Sequence, residues 1–155
     1  MIKILFICHG NICRSPMAEF ILKDMVEKRG LADKFEIESA ATSTEEIWNG
    51  VGNPVYPPAR KKLNEAGIDC SGKTARQITK RDYEYFDYII AMEKYNIRNI
   101  ERVIGKDIAG KVSLLLDYTD APGDIADPWY SGDFDTTFNQ ITYGLEGFLK
   151  NLNID

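Results

Sequence analysis

The stretch that constrains this chain most is "ILFICHGNICRSP", residues 4 to 16. An apolar run stops at Cys8, and a short polar loop containing Gly10 and Asn11 follows. From Pro16 onward Met17, Phe20, Ile21 and Met25 recur at helical spacing, and Gly30 ends the pattern. A buried strand turning tightly into a helix is the opening unit of an α/β domain. It is also a natural anion cradle, because the first N–H groups of a helix lack intrahelical partners and the dipole is positive there. Gly10 and Asn11 are the residue types that best tolerate the positive φ such a nest requires. Pro16, early in the helix, gives up an N–H that would be unpaired anyway.

The rest of the chain repeats the alternation. Strands are expected over 2–7, 34–41, 87–92 and 111–118, and helices over 16–29, 57–67, 79–86, 93–105 and 134–152. Prolines open the 57–67 segment and Gly67 closes it, the usual asymmetry of a helix. Thr79 is placed to cap the short 79–86 helix. Strands alternating with helices predict an open, four-stranded parallel sheet with right-handed crossovers and helices on both faces. No repeat, low-complexity tract or linker breaks the pattern, so one domain is expected over residues 1–155. Ligands of such sheets bind beyond the carboxyl ends of the strands. Both "CHGNICRS" and "DYTDAPGDIADPWY" (117–130) fall there.

Composition narrows the function class. A net charge of −5 argues against general nucleic-acid binding, which needs a basic face. No run of eighteen apolar residues suggests a membrane span, and Ile4 to Ile7 is too short for a signal-peptide core, so a cytoplasmic protein is expected. Three cysteines, an odd number, fit thiols kept reduced for chemistry or packing.

Cys8 is expected at the base of the cradle, where the surrounding N–H groups favour a thiolate over a thiol. Arg14 supplies a planar fork matching two phosphate oxygens. Ser15 is close enough in such a loop to donate a hydrogen bond to the sulfur. Together they describe a nucleophile beneath a bound phosphoryl group. The competing reading of Cys8 is a buried structural cysteine. His9 is the only histidine, but adjacent residues on a turn rarely face each other, so it reads as a rim residue rather than a Cys-His dyad. Cys8, His9, Cys13 and Cys70 lack recognisable zinc spacing, and no calcium-loop pattern occurs, so no metal or cofactor is expected.

"CHGNICRSP" resembles the signature loop of the low-molecular-weight protein tyrosine phosphatases, and "DPWY" (127–130) resembles their acid loop. "TARQIT" (74–79) and "FDYIIAM" (86–92) are also similar to family segments, and the likeness runs nearly the whole chain. The resemblance implies hydrolysis of phosphotyrosine, and of small aryl phosphates, through a cysteinyl-phosphate without metal. It implies Cys8 as nucleophile, Arg14 as phosphate clamp and Asp127 as the acid that protonates the leaving phenol and then serves as base for water. His9, Gly10, Asn11, Ile12, Cys13, Arg14 and Ser15 would form the phosphate-binding loop. Asn11 would hold its strained conformation with Ser39 behind it, and Ser15 would stabilise the departing thiolate. The implied partners are tyrosine-phosphorylated proteins and a cognate tyrosine kinase, with inorganic phosphate as product and inhibitor.

Asp127 is singled out by Pro128, Trp129 and Tyr130 after it; Asp117, Asp120, Asp124, Asp133 and Asp135 read as a solvated acidic loop. "DFDTT" (133–137) fits the nucleophile motif of haloacid-dehalogenase-like phosphatases, but it opens the last helix, where Asp and Thr act as caps. Trp48, Trp129 and Tyr130, with Ile12, are candidates for the slot around a flat ring. The family often has Tyr where this chain has Trp129, which leaves Tyr130 as the candidate for phosphorylation. Cys13 reads either as a small buried residue or as a resolving thiol for oxidised Cys8. Cys70 reads as packing, and Arg76 as structural. Related protein-arginine phosphatases tend to carry Thr where this loop has Ile12, and arsenate reductases need cysteines that do not occur after Cys70. A silent anion-binding or redox-sensing module is the alternative from another class.

Overall fold

The computed structural model describes residues 1–153. The last two positions of the expected 1–155 domain therefore lie outside the described residues. Strand β1 (Ile2–Cys8) is central. It pairs in parallel with β2 (Phe35–Ala41) on one side and with β5 (Tyr88–Ala91) on the other, and β5 pairs with β6 (Val112–Leu114). The sheet order is β2-β1-β5-β6, the expected four-stranded parallel sheet.

The period-two alternation of β1 divides the core. Ile4, Phe6 and Cys8 pack on one face, with Met17, Ile21 and Leu22 of α1 (Arg14–Lys28), Leu63 of α2 (Pro57–Glu65) and Leu145 and Phe148 of α6 (Phe134–Asn151). Leu5 and Ile7 pack on the other, with Phe86 behind α3 (Lys80–Tyr85) and Ile100 of α4 (Lys94–Ile104). Thr79 caps α3 as expected, in a reciprocal capping box with Asp82.

Three details depart from the expected pattern. Helix α1 starts at Arg14, two residues before Pro16, so Arg14 and Ser15 lie in its first turn. Pro16 is still within the four N–H groups that have no intrahelical acceptor. The last strand is shorter than expected: after Leu114 the chain tightens into a 3-10 turn, Leu115–Tyr118. Leu114, Leu115 and Leu116 are all buried, and such an apolar run does not distinguish a strand from a turn packed against α6. A small hairpin was not anticipated: β3 (Ile47–Trp48) and β4 (Val51–Gly52) pair antiparallel across Asn49-Gly50, both at positive φ. "WNGV" carries the Asn-Gly signal of a two-residue hairpin turn.

Gly52 fixes that hairpin to the body of the protein. A Cβ there would sit inside van der Waals contact of the Ala75 backbone. Gly52→Ala is therefore expected to destabilise the chain by about 2 kcal/mol, checked by urea unfolding.

Candidate active site

Strand β1 delivers Cys8 to the carboxyl edge of the sheet, and the loop to α1 wraps over it. Asn11 adopts φ 60, and Cys8, Asn11, Arg14 and Ser15 are all buried. The Cys8 sulfur lies 3.0 Å from Ser15 Oγ and accepts the Asn11 backbone N–H at 3.3 Å.

The hydrogen bonds around Asn11 have a fixed polarity. Its Oδ1 accepts the backbone N–H of Arg76 at 3.2 Å. Its Nδ2 therefore faces the two hydroxyls, donating to Ser15 Oγ at 2.8 Å and Ser39 Oγ at 2.9 Å. Ser15 Oγ accepts from Asn11, which turns its own proton toward the sulfur. Ser39 in turn donates to Glu19 Oε1 at 2.6 Å. Glu19 is buried and held by Lys23 at 2.6 Å and Lys73 at 3.4 Å. Burial pulls the Lys73 ammonium below its ordinary pKa, against the attraction of Glu19.

Arg14 is 2% exposed and held by two carboxylates. Its Nη1 donates to Glu93 Oε2 at 2.8 Å and to the Ile125 carbonyl at 3.0 Å; Nη2 lies 3.4 Å from Asp127 Oδ2. Burial works against its charge, but Cys8, Glu93 and Asp127 outweigh it and push the guanidinium above its ordinary pKa. Asp127 is the N-cap of a short helix, α5 (Pro128–Ser131), its Oδ1 accepting Trp129 N–H at 3.0 Å. That cap leaves Oδ2 toward Arg14. Burial first, then the neighbouring Cys8, raises the Cys13 pKa far above the ordinary thiol range.

One cavity brings these groups together. Cys8, Arg14 and Asp127 line it with His9, Gly10, Ile12 and Cys13 of the loop. Trp129 and Tyr130 form one side, and Glu45 and Glu46 another. Trp129 is packed on Tyr56, ring centroids 4.8 Å apart. His9 sits at the rim, its Nε2 3.0 Å from Glu45 Oε2.

Trp48 requires a correction. It does not line this cavity: Ile47 packs toward the core, so its neighbour on β3 turns outward and is 78% exposed. Four of the other loop aspartates have structural partners. Asp124 accepts the Lys94 N–H, Asp120 meets Tyr143, Asp135 pairs with Lys62, and Asp133 of the "DFDTT" segment caps α6 through Thr136. Arg76 pairs with Asp82 and Glu38, and Cys70 is in the core. Among the described residues no group of three or more His, Cys, Asp and Glu side chains is arranged to hold a metal. No helix among them is long and apolar enough to cross a membrane.

Glu93, Glu19 and Lys73 were missed from the sequence. Glu93 follows a strand and looks like an ordinary helix start; the only available signal was its place just after that strand, at a carboxyl edge.

The sequence model described as "Low molecular weight phosphotyrosine protein phosphatase" matches residues 3–155. The chain belongs to the low molecular weight phosphotyrosine protein phosphatase family. It is 38% identical over 154 residues to the low molecular weight protein-tyrosine-phosphatase YfkJ of Bacillus subtilis, covering 98% of this chain and 96% of that protein. The crystal structure of YfkJ superposes with a TM-score of 0.91 at 37% identity, covering 99% of this chain and 95% of the other. The structure of DARP, a drosophila arginine phosphatase, superposes with a TM-score of 0.85 at 31% identity over 99% of both chains. In the present chain Ile12 is buried in the same loop as Cys8 and lines the cavity with an apolar side chain.

Proposed function

We propose that this chain hydrolyses phosphotyrosine in proteins, and small aryl phosphates, by way of a phosphocysteine on Cys8. The observation that carries this reading is the convergence of the Cys8 sulfur, the Arg14 fork and the Asp127 carboxyl on one cavity. The loop N–H groups and Arg14 hold the phosphate oxygens, and Glu93 fixes the guanidinium from behind. The Cys8 thiolate attacks phosphorus as Asp127 gives its proton to the departing phenolate oxygen. Asp127 then takes a proton from water, which attacks the phosphocysteine and releases inorganic phosphate. The Ser15 hydroxyl, oriented by Asn11, donates to sulfur as the S–P bond breaks.

Ile12 and Trp129 offer apolar walls suited to a phenyl ring rather than a guanidinium. Matched phosphotyrosine and phosphoarginine peptides test this directly. Preferred turnover of phosphotyrosine supports the reading; preferred turnover of phosphoarginine would keep the mechanism and replace the substrate class. Asp127→Ala is expected to slow formation of the phosphoenzyme about 10²-fold, seen as a loss of the product burst.

Further readings rest on the same site. When a peroxide oxidises Cys8 to the sulfenic acid, the Cys13 thiol condenses with it to a disulfide and releases water. Three free thiols, Cys8, Cys13 and Cys70, fit the cytoplasm. A tyrosine kinase is the class of enzyme that supplies the substrate and could also modify the exposed Tyr130.

A further inference from the structure

The proposed acid stands on a weak element. Helix α5 is a single turn of four residues, too short to keep its shape by helix propensity alone. Asp127 is its N-cap, with Oδ1 accepting the Trp129 N–H at 3.0 Å, so one turn carries both the carboxyl and the indole. The entry to the turn is anchored. The Ala126 N–H donates to Gln140 Oε1 at 2.9 Å, and the Ala126 carbonyl accepts the Thr137 hydroxyl at 2.9 Å. Beyond Asp127 the chain leaves the body of the protein. Trp129 and Tyr130 are 53% and 86% exposed, and the turn closes on Gly132 in the left-handed region at φ 73. Something other than the helix itself has to fix where Asp127 points.

Tyr56 is placed to do so. Its ring meets that of Trp129 with centroids 4.8 Å apart and that of Phe134 with centroids 6.2 Å apart. Phe134 opens α6 just after the Gly132 corner, so one ring braces both ends of the turn that bears the acid. The backbone beneath that ring is stiff. Tyr56 has φ −55 and ψ 132, the extended conformation that Pro57 imposes on the residue before it. Its N–H donates to the Ile12 carbonyl at 2.8 Å, inside the loop that carries the nucleophile. Tyr56 therefore ties the Cys8 loop to the Asp127 turn, yet it does not line the cavity.

We propose that Tyr56 is a positioning residue for the acid step: through Trp129 it holds the α5 turn so that the Asp127 carboxyl faces the leaving-group oxygen. In that step the S–P bond forms, the P–O bond to the phenol breaks, and the electron pair left on oxygen takes the Asp127 proton. Tyr56 touches neither the substrate nor the sulfur, so its effect passes through the indole. This inference rests on the phosphatase reading of the cavity and adds to it a residue that sets the geometry of proton transfer.

The acid matters only where the leaving group needs its proton. Phenol, with a pKa of about 10, needs it; a dinitrophenol is far more acidic and departs as the anion. The test is the ratio of kcat/KM for phenyl phosphate to kcat/KM for dinitrophenyl phosphate. That ratio reads the acid and does not depend on the fraction of protein that is folded and active. Tyr56→Ala is expected to lower it about tenfold. Tyr56→Phe keeps the ring and should leave it within about twofold of the wild type. Trp129→Ala should lower the ratio by a similar factor, and the double variant Tyr56→Ala/Trp129→Ala no further, because the two rings act as one unit. An unchanged ratio in Tyr56→Ala, whether both substrates slow equally or neither does, overturns the inference and leaves the phosphatase reading intact. Independent, multiplying effects in the double variant overturn it too, and so does a fall in Tyr56→Phe as large as in Tyr56→Ala. A wild type that hydrolyses neither phosphate overturns the phosphatase reading itself, and this inference with it.

Discussion

Cys8→Ser is expected to lower phosphotyrosine-peptide turnover by about 10⁴-fold or more while inorganic phosphate still binds. A serine hydroxyl fits the space of the thiol, but it attacks phosphorus only after losing its proton. The groups in contact with the sulfur are the Ser15 hydroxyl and the Asn11 N–H, and neither is a base. Asp127 cannot serve, because the same step needs its proton for the leaving group. The proposed phosphate cradle consists of loop backbone and Arg14, so the substitution is expected to leave it in place. Steady-state turnover alongside calorimetric titration with phosphate checks both halves. Retained turnover in Cys8→Ser would sink the covalent mechanism, and loss of phosphate binding would mean that the loop had collapsed.

Arg14→Lys is expected to cost about 10³-fold in kcat/KM despite conserving the charge. The guanidinium has donors for Glu93, for the Ile125 carbonyl and for the side facing Asp127. An ammonium has three donors on one atom and cannot hold Glu93 while presenting a flat edge to two phosphate oxygens. Shorter reach also draws it toward the carboxylates, which neutralise it. The expected signature is a large fall in kcat together with weaker inhibition by phosphate. A decrease below about tenfold would show that charge alone suffices and that the fork geometry is unimportant.

The legible part of the site was its local part. Cys8, Asn11, Arg14 and Ser15 occupy one eight-residue segment whose strand, turn and helix signals agree, so their meeting follows from the turn itself. Asp127 stood out among six neighbouring aspartates only because Pro128 and two aromatics follow it, a pattern that gained its meaning from family likeness. The illegible part is set by sheet order. Glu93 meets Arg14 because β5 lies beside β1, and Glu19 meets Ser39 because α1 packs over β2. No spacing rule joins residues so far apart in sequence. Trp48 was misplaced for a related reason: a loop tryptophan near the mouth suggests a wall, but the hairpin pairing turns it outward.

The carboxyl edge of β1 also bears on how the chain becomes active during synthesis. The Cys8 loop leaves the ribosome well before Glu93, Ile125 and Asp127, which complete Arg14 from much later in the chain. Loop closure over such separations is slow and comes late in folding. A nascent chain that has exposed Cys8 and Arg14 but not yet made residue 127 holds a thiol and an unfixed guanidinium, without the proposed acid. Late assembly of Arg14's partners is thus expected to keep half-made chains chemically quiet, and loss of the segment after Leu116 would remove Ile125, Asp127 and the α6 side chains that pack against α1.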